Sequence, residues 1–579
     1  MLKNYLYRGI ACALFAVAAS QVVAVDDARQ QLTADSLFSA NEIKQPVSMG
    51  AFAFTDNTSA PKNQFQGRLV FTEDNHRSSI RVFRDDYNFS SRKEREITQL
   101  PAFDFEFVQS GQYLIPVQRG AIKNSHPHWE YILEPGRVWQ EAGDKGYSRA
   151  AIPFSLQERN ANCTHNGVMS FLFKTDGSIS KLAYQVVSET CLYFKFDLWG
   201  LFEAKYMPST VDDAWQVIAN HQQEIANRLP VKSIAQLAVD YPVVNLKQFG
   251  GVDLIKPGDM TVFGFVIDGT NYVGGCETRY GSYPYCEVLD IPSYSLAKSI
   301  FAGMGLMYLE KKYPGTKALK IADYVPACKA SGRWADVSFE QTLNMTTGNY
   351  QSAKDRIDEW SKEKDVQFFI PETHTEKIDY ACNTMLRQSV PGTKWVYHTS
   401  DTYILGTAMN NFIKKKMNKH ADSFSDIFIE LWQPLQLSPV TATTVRSYDD
   451  FSQALTGFGL TLHHDDIARM AVAINDQQSY LNGLLDKPML EAALQRNPAD
   501  RGLPAANTGF RYKNGFWAYN AQPFLACKTA TWLPFMTGYG GINVVMMPND
   551  TVYYYFSDSG KFSWREAAKA SNSIRAFCE

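Results

Sequence analysis

Ser293-Tyr294-Ser295-Leu296-Ala297-Lys298-Ser299-Ile300-Phe301-Ala302-Gly303-Met304 is the stretch on which the reading of this chain turns. From residue 294 to 312 apolar side chains recur at helical spacing, with Leu296, Ile300, Met304 and Met307 on or near one face. Ser293 and Tyr294 precede them as a turn. Ser295 then stands at a helix start, where its own backbone N–H can help hold an oxyanion. Lys298, three residues on, falls beside it on the same face. Drawn under an apolar helix near its positive end, that lysine favours the neutral amine, which is a base. A serine nucleophile in acyl transfer needs these three conditions together.

Ser-x-x-Lys occurs five times, at Ser59/Lys62, Ser90/Lys93, Ser178/Lys181, Ser295/Lys298 and Ser361/Lys364, so the motif alone decides nothing. Ser59 lies before Pro61 in a polar loop, Ser178 follows an Asp176-Gly177 turn, and Ser90 and Ser361 read as parts of solvated charge clusters. Only Ser295 opens an apolar helix. On its own, even this copy also describes a capped helix with a snorkelling lysine.

A second stretch gives it company: Pro391-Gly392-Thr393-Lys394-Trp395-Val396-Tyr397-His398-Thr399-Ser400-Asp401-Thr402-Tyr403-Ile404-Leu405-Gly406. It resembles the Tyr-x-Asn element of class C β-lactamases and D-alanyl-D-alanine peptidases, and is most similar to the 6-aminohexanoate-dimer hydrolase branch. The resemblance implies that Tyr397 sits beside Lys298 and shuttles the serine proton, with Thr399 in the Asn place. Val337 to Gly348 is similar to the family's helix and loop after the serine. Gly459-Leu460-Thr461-Leu462 with Asp466-Ile467-Ala468-Arg469 resembles a later loop-to-helix segment.

The family's third element is a Lys-Thr-Gly or His-x-Gly strand that completes the oxyanion hole. Met536-Thr537-Gly538-Tyr539-Gly540-Gly541 stands in that place. Two registers are open, with Thr537-Gly538 or Gly538-Tyr539-Gly540 on the motif, and the basic residue is absent from both. Lys528-Thr529-Ala530 imitates the motif too far upstream of Pro548. The resemblance runs from about residue 245 to the end. It implies a β-lactamase-like α+β region, an antiparallel sheet flanked by helices with an added helical part, and no cofactor. With Met536 or Tyr539 where a base should hold a carboxylate, uncharged esters and linear amides are expected to outperform cephalosporins.

Before that region the texture differs. Phe103-Asp104-Phe105-Glu106-Phe107-Val108 and Phe194-Lys195-Phe196-Asp197-Leu198 alternate as half-buried strands do. They predict an all-β, sandwich-like part over residues 25–240, closed by a helix over residues 211–229 and expected to brace the rest. A connector is expected over residues 230–260, and the hydrolase region over residues 241–579.

The chain has 579 residues, a net charge of −3 and 45% hydrophobic residues. That suits two or three domains with real cores, and no basic run suggests a nucleic-acid partner. Lys3, Arg8, the apolar residues 10–19 and Val22-Val23-Ala24 read as an export signal over residues 1–24. A soluble periplasmic or secreted protein follows. Beyond Cys12 eight cysteines remain, expected from nearness in sequence to pair as 163–191, 276–286, 328–382 and 527–578. No His-Glu-x-x-His, Gly-x-Ser-x-Gly or phosphate-binding loop occurs. His126-Pro127-His128 and His463-His464 read as surface histidines, and no metal is expected. The two functions left open are a serine hydrolase on a small or peptide-like substrate and a binding or sensing module that has lost catalysis.

Overall fold

Strands form where the alternation predicts them, at Phe103–Ser110 and Phe194–Phe202. The computed structural model describes residues 29–55, 58–72 and 78–578, and the expected export signal lies outside them. Twelve strands between Gln66 and Pro208 join into one sheet. Lys205–Pro208 is one end of its path, and Phe194–Phe202 followed by Ser78–Asp85 is the other. Yet only Glu203 and Ala204 separate Phe194–Phe202 from Lys205–Pro208, so the sheet must be rolled until its ends nearly meet. Phe71 and Phe202, from strands near opposite ends, accordingly have ring centroids 4.7 Å apart. One rolled sheet thus replaces the expected sandwich. Alternation reports an inner and an outer face and cannot tell these two arrangements apart.

Alternation fails in the middle of this sheet. Ser148–Glu158, Thr164–Phe173 and Leu182–Thr190 are buried at every position. Their polar residues do not face water. Ser155 Oγ donates to Asp290 Oδ2 (2.7 Å), Asn166 Nδ2 donates to the Asp290 carbonyl (3.0 Å), and Tyr283 OH donates to the Gly167 carbonyl (3.0 Å). One face fills the roll, and the C-terminal half covers the other.

The predicted closing helix spans Ala214–Asn227 and packs on the strands Phe103–Ser110 and Tyr113–Pro116. Its buried positions are His221 and Glu224, while Val217 and Ile218 are only half-buried. Glu224 there receives Arg119, which also binds Glu134.

The second sheet has nine strands. Its edge, Val231–Ser233, comes from the stretch expected to be a connector and runs parallel to Thr270–Gly275. Met260–Ile267, Val552–Ser557, Ile542–Met546 and Trp532–Gly538 follow in antiparallel order. Helix His464–Asn475 lies against the first three of these. Trp564, Ala567 and Ala568 of the last helical segment pack with Tyr553 and Tyr555 in a separate core. Helices therefore flank this antiparallel sheet, and a largely helical segment that includes Thr399–Lys416 adjoins it.

All four expected disulfides are present, Cys163–Cys191, Cys276–Cys286, Cys328–Cys382 and Cys527–Cys578. Among the described residues no helix is long and apolar enough to cross a membrane.

Candidate active site

The predicted helix over residues 294–312 is not uniform. A tight turn at Tyr294–Leu296 leads into a wide π-helical stretch at Lys298–Gly303 and then an α-helix at Met304–Lys312. Such stretches often mark functional sites. Tyr294 has φ = 40°, a conformation costing a non-glycine residue about 1–3 kcal/mol unless its surroundings hold it. They do hold it. Asn162, from the rolled sheet's side, accepts from the Tyr294 N–H (2.8 Å), the Ser293 hydroxyl (3.2 Å) and the Gly459 N–H (3.0 Å). Its own amide donates to the Leu460 carbonyl (3.1 Å).

Around Ser295 Oγ the structure brings together two of the predicted residues. Lys298 Nζ lies 2.8 Å from it and donates to the Gly457 carbonyl at 2.9 Å. Tyr397 OH lies 2.9 Å from the same Oγ. Lys298 is only 2% exposed. Burial pushes its amine down to about 7, with Lys364 adding to the depression and Glu359 opposing it. Burial, assisted by Glu359, holds the Tyr397 phenol well above its ordinary value.

Thr399 begins the helix Thr399–Lys416 and is turned to Glu359. Its N–H donates to Glu359 Oε2 (2.8 Å) and its hydroxyl to Oε1. A buried carboxylate at a helix N-terminus is well placed electrostatically, and Lys364 neutralises it from the other side. Lys364 is fully buried, so the Ser361/Lys364 copy of the motif is no solvated cluster. Ser361 caps a short helix at Lys362–Lys364, and its lysine serves Glu359. Glu359, Lys364, Gly457 and Asn162 carried no local signal, since each reaches the site only through the folded chain.

Strand Trp532–Gly538 ends beside the nucleophile turn, and a Cβ on Gly538 would stand 3.1 Å from the Ser293 carbonyl oxygen. Met536 is fully buried in the core, whereas Tyr539 is 39% exposed and lines a cavity with Ser295. A Cβ on Gly540 (φ = 90°) would stand 3.9 Å from the Leu192 side chain on the rolled sheet's side. Lys528, Thr529 and Ala530 sit in an exposed loop, apart from this strand.

The cavity in front of Ser295 measures about 510 Å³. Tyr294, Thr399, Trp360 and Tyr539 line it together with Phe89, Arg92, Arg95, Arg159 and Tyr193, all five of the latter from the N-terminal half. That half was expected only to brace. It is a wall of the cavity.

Both histidine pairs are buried rather than on the surface. His126 Nδ1 accepts from the N–H groups of His128 and Trp129, and burial lowers His464 to about 3, leaving it neutral. Among the described residues two groups have metal-ligand spacing. In one, Cys163 and Cys191 are already bonded to each other. In the other, His463 Nε2 faces Glu134 (3.3 Å) and Asp290 (3.6 Å). The His463 ring also accepts from the Asp466 N–H as a helix cap. Its accepting nitrogen is therefore Nδ1, and Nε2 carries the proton. That nitrogen faces Glu134 of the first half and Asp290 of the second, so the cluster joins the two halves.

No family model matches the chain, and no curated protein matches it. Solved structures do. One is a Bacillus anthracis protein provisionally described as a 6-aminohexanoate-dimer hydrolase, at 16% identity and TM-score 0.43, covering 60% of this chain and 86% of that one. EstCE1, a hydrolase with promiscuous acyltransferase activity, has 14% identity and TM-score 0.42 over 62% of this chain and 99% of its own. A class C β-lactamase has 15% identity and TM-score 0.39 over 58% and 97%. At such scores the likenesses say nothing of activity.

Proposed function

We propose that the chain is an exported serine hydrolase that cleaves an amide or ester bond through an acyl-enzyme on Ser295. The observation that carries this reading is the pair of proton carriers, 2.8 Å and 2.9 Å from one serine hydroxyl, one of them a lysine held near 7. Ser295 Oγ attacks the substrate carbonyl carbon as its proton passes to the neutral amine of Lys298. The Tyr397 phenol, kept protonated by burial, relays that proton to the leaving nitrogen or oxygen, and the carbonyl–leaving-group bond breaks. The N–H groups of Ser295 and Tyr539 are the assigned oxyanion donors. Water then attacks the acyl-enzyme along the same proton path. No cofactor enters the scheme. Residues 25–240 and 241–579 act as one unit in it, because the cavity has walls from both.

Incubation of the mature protein with a fluorophosphonate, followed by peptide mass analysis, should place a single adduct on Ser295. An intact, folded protein with no adduct at Ser295 would instead make it a binding or sensing module.

Asn162 is a positioning residue in this scheme, since it holds the nucleophile turn and the loop that receives Lys298. Asn162→Ala is expected to lower kcat about 10–100-fold with little change in KM, because the serine is misplaced while the cavity persists. A rise in KM with kcat intact would count against that role.

A further inference from the structure

The third element lacks the base that would hold a carboxylate, and the cavity lining includes three arginines, Arg92, Arg95 and Arg159. Most charges lining the cavity are already engaged. Glu158 accepts from Tyr193 OH (2.7 Å), Arg159 pairs with Glu372 (3.0 Å), and Glu359 pairs with Lys364. Arg92 and Arg95 stand apart. Among the described residues neither has a carboxylate at ion-pair distance. Arg95 only approaches His128 Nδ1 (3.4 Å) and the face of Phe89 (5.4 Å).

These two side chains are not loose ornaments of a mobile turn. They follow the short turn Phe89–Ser91, which Asp85 ties down by accepting from the N–H groups of Phe89 and Ser90, each at 2.8 Å. The Asp86 N–H reaches the Tyr193 carbonyl at 2.9 Å, and Tyr193 itself lines the cavity. The intervening Lys93 does not line the cavity. The remaining acid of the lining, Asp365, makes no ion pair with either arginine among the described residues.

We propose that Arg92 and Arg95 form an anion subsite of the Ser295 cavity, and that the preferred substrates are esters or amides bearing a carboxylate. Two guanidinium groups in one cavity suit that group, since each can donate paired N–H bonds to a carboxylate. The inference rests on the hydrolase reading above, but it reverses the expectation of uncharged substrates drawn from the third element alone. It gives the rolled sheet a direct part in choosing the substrate.

Two matched pairs of esters test it on the full chain. One pair carries the charge on the acyl side, mono-p-nitrophenyl glutarate against p-nitrophenyl pentanoate. The other carries it on the leaving group, 4-acetoxybenzoate against phenyl acetate. In at least one pair the anionic member should have the higher kcat/KM. The doubly substituted R92Q/R95Q protein should lower that anionic-to-neutral ratio about 10–100-fold, as expected for lost charge-assisted hydrogen bonds. Lys93→Gln removes a neighbouring charge outside the cavity and should leave the ratio in place. A purely structural role for the arginines would slow both members together and leave the ratio unchanged, which would overturn the proposal. So would a neutral preference in both pairs. If no ester is turned over, the hydrolase reading fails on its own. Calorimetric titration of Ser295→Ala protein with glutarate then decides the subsite, which requires binding that is lost in the R92Q/R95Q background. Binding that survives there would overturn it.

Discussion

Ser295→Ala should lower kcat/KM on any ester or amide substrate by about 10⁴–10⁶-fold, the scale expected when the nucleophile of a cooperating group is removed. The loss should leave the fold intact. Ser295 sits on a turn held by other atoms, namely Asn162 and the Ser293 hydroxyl, and its own side chain bonds only to Lys298 and Tyr397 among the contacts described. The four other serines of the motif are the controls. Ser59→Ala, Ser90→Ala and Ser178→Ala alter exposed or edge positions, and Ser361→Ala removes a helix cap worth ~1 kcal/mol. Each should keep activity within a few-fold. The check is kcat/KM on a chromogenic ester alongside the melting temperature of every variant. Loss of activity in one of the four without loss of the fold would move the nucleophile elsewhere.

Lys298→Ala and Tyr397→Phe should each slow acylation about 10²–10⁴-fold, as expected for general acid–base groups. Combined, they should cost far less than the product of the two, since both serve one proton path. The depressed Lys298 adds a pH dependence whose sign follows from its role. The neutral amine is the base, so activity should rise with pH and level off above about 7, where Lys298 has lost its proton. On the acid side kcat/KM should fall about tenfold per pH unit, as for a single protonation. Lys298→Arg keeps the charge but cannot shed a proton near neutrality, so it should be as inactive as Lys298→Ala and show no such limb. A pH profile of kcat/KM from pH 5 to 9 on both proteins is the measurement. A fully active Lys298→Arg would remove lysine from the base role.

The reading from the residues reached furthest where the chemistry is local. Ser295 and Lys298 are three residues apart, and one helical turn makes them neighbours whatever the rest of the chain does. Tyr397 was reached through the resemblance of its segment and the order of the motifs, since nothing local links it to Ser295. The four disulfide pairs were legible because each joined cysteines that are near in sequence. Ser361/Lys364 shows the opposite case. Its charges look solvated in the sequence, yet the fold closes over them and makes Lys364 the counter-ion of Glu359. The buried histidines failed for the same reason, because residue type alone does not reveal what will cover a loop.

By itself, then, the sequence determined a candidate serine with its lysine one turn on, a strand-rich first half, an α+β second half and the order of three elements. Only the tertiary structure decided that the first half is one rolled sheet and that its central strands are buried on both faces. The same is true of Asn162 holding the nucleophile turn and of the Phe89–Arg95 segment walling the cavity. The physical reason is range. Helical spacing and alternation record contacts between residues a few positions apart, whereas a cavity wall is set by packing between segments two hundred residues distant, such as Arg92 and Ser295.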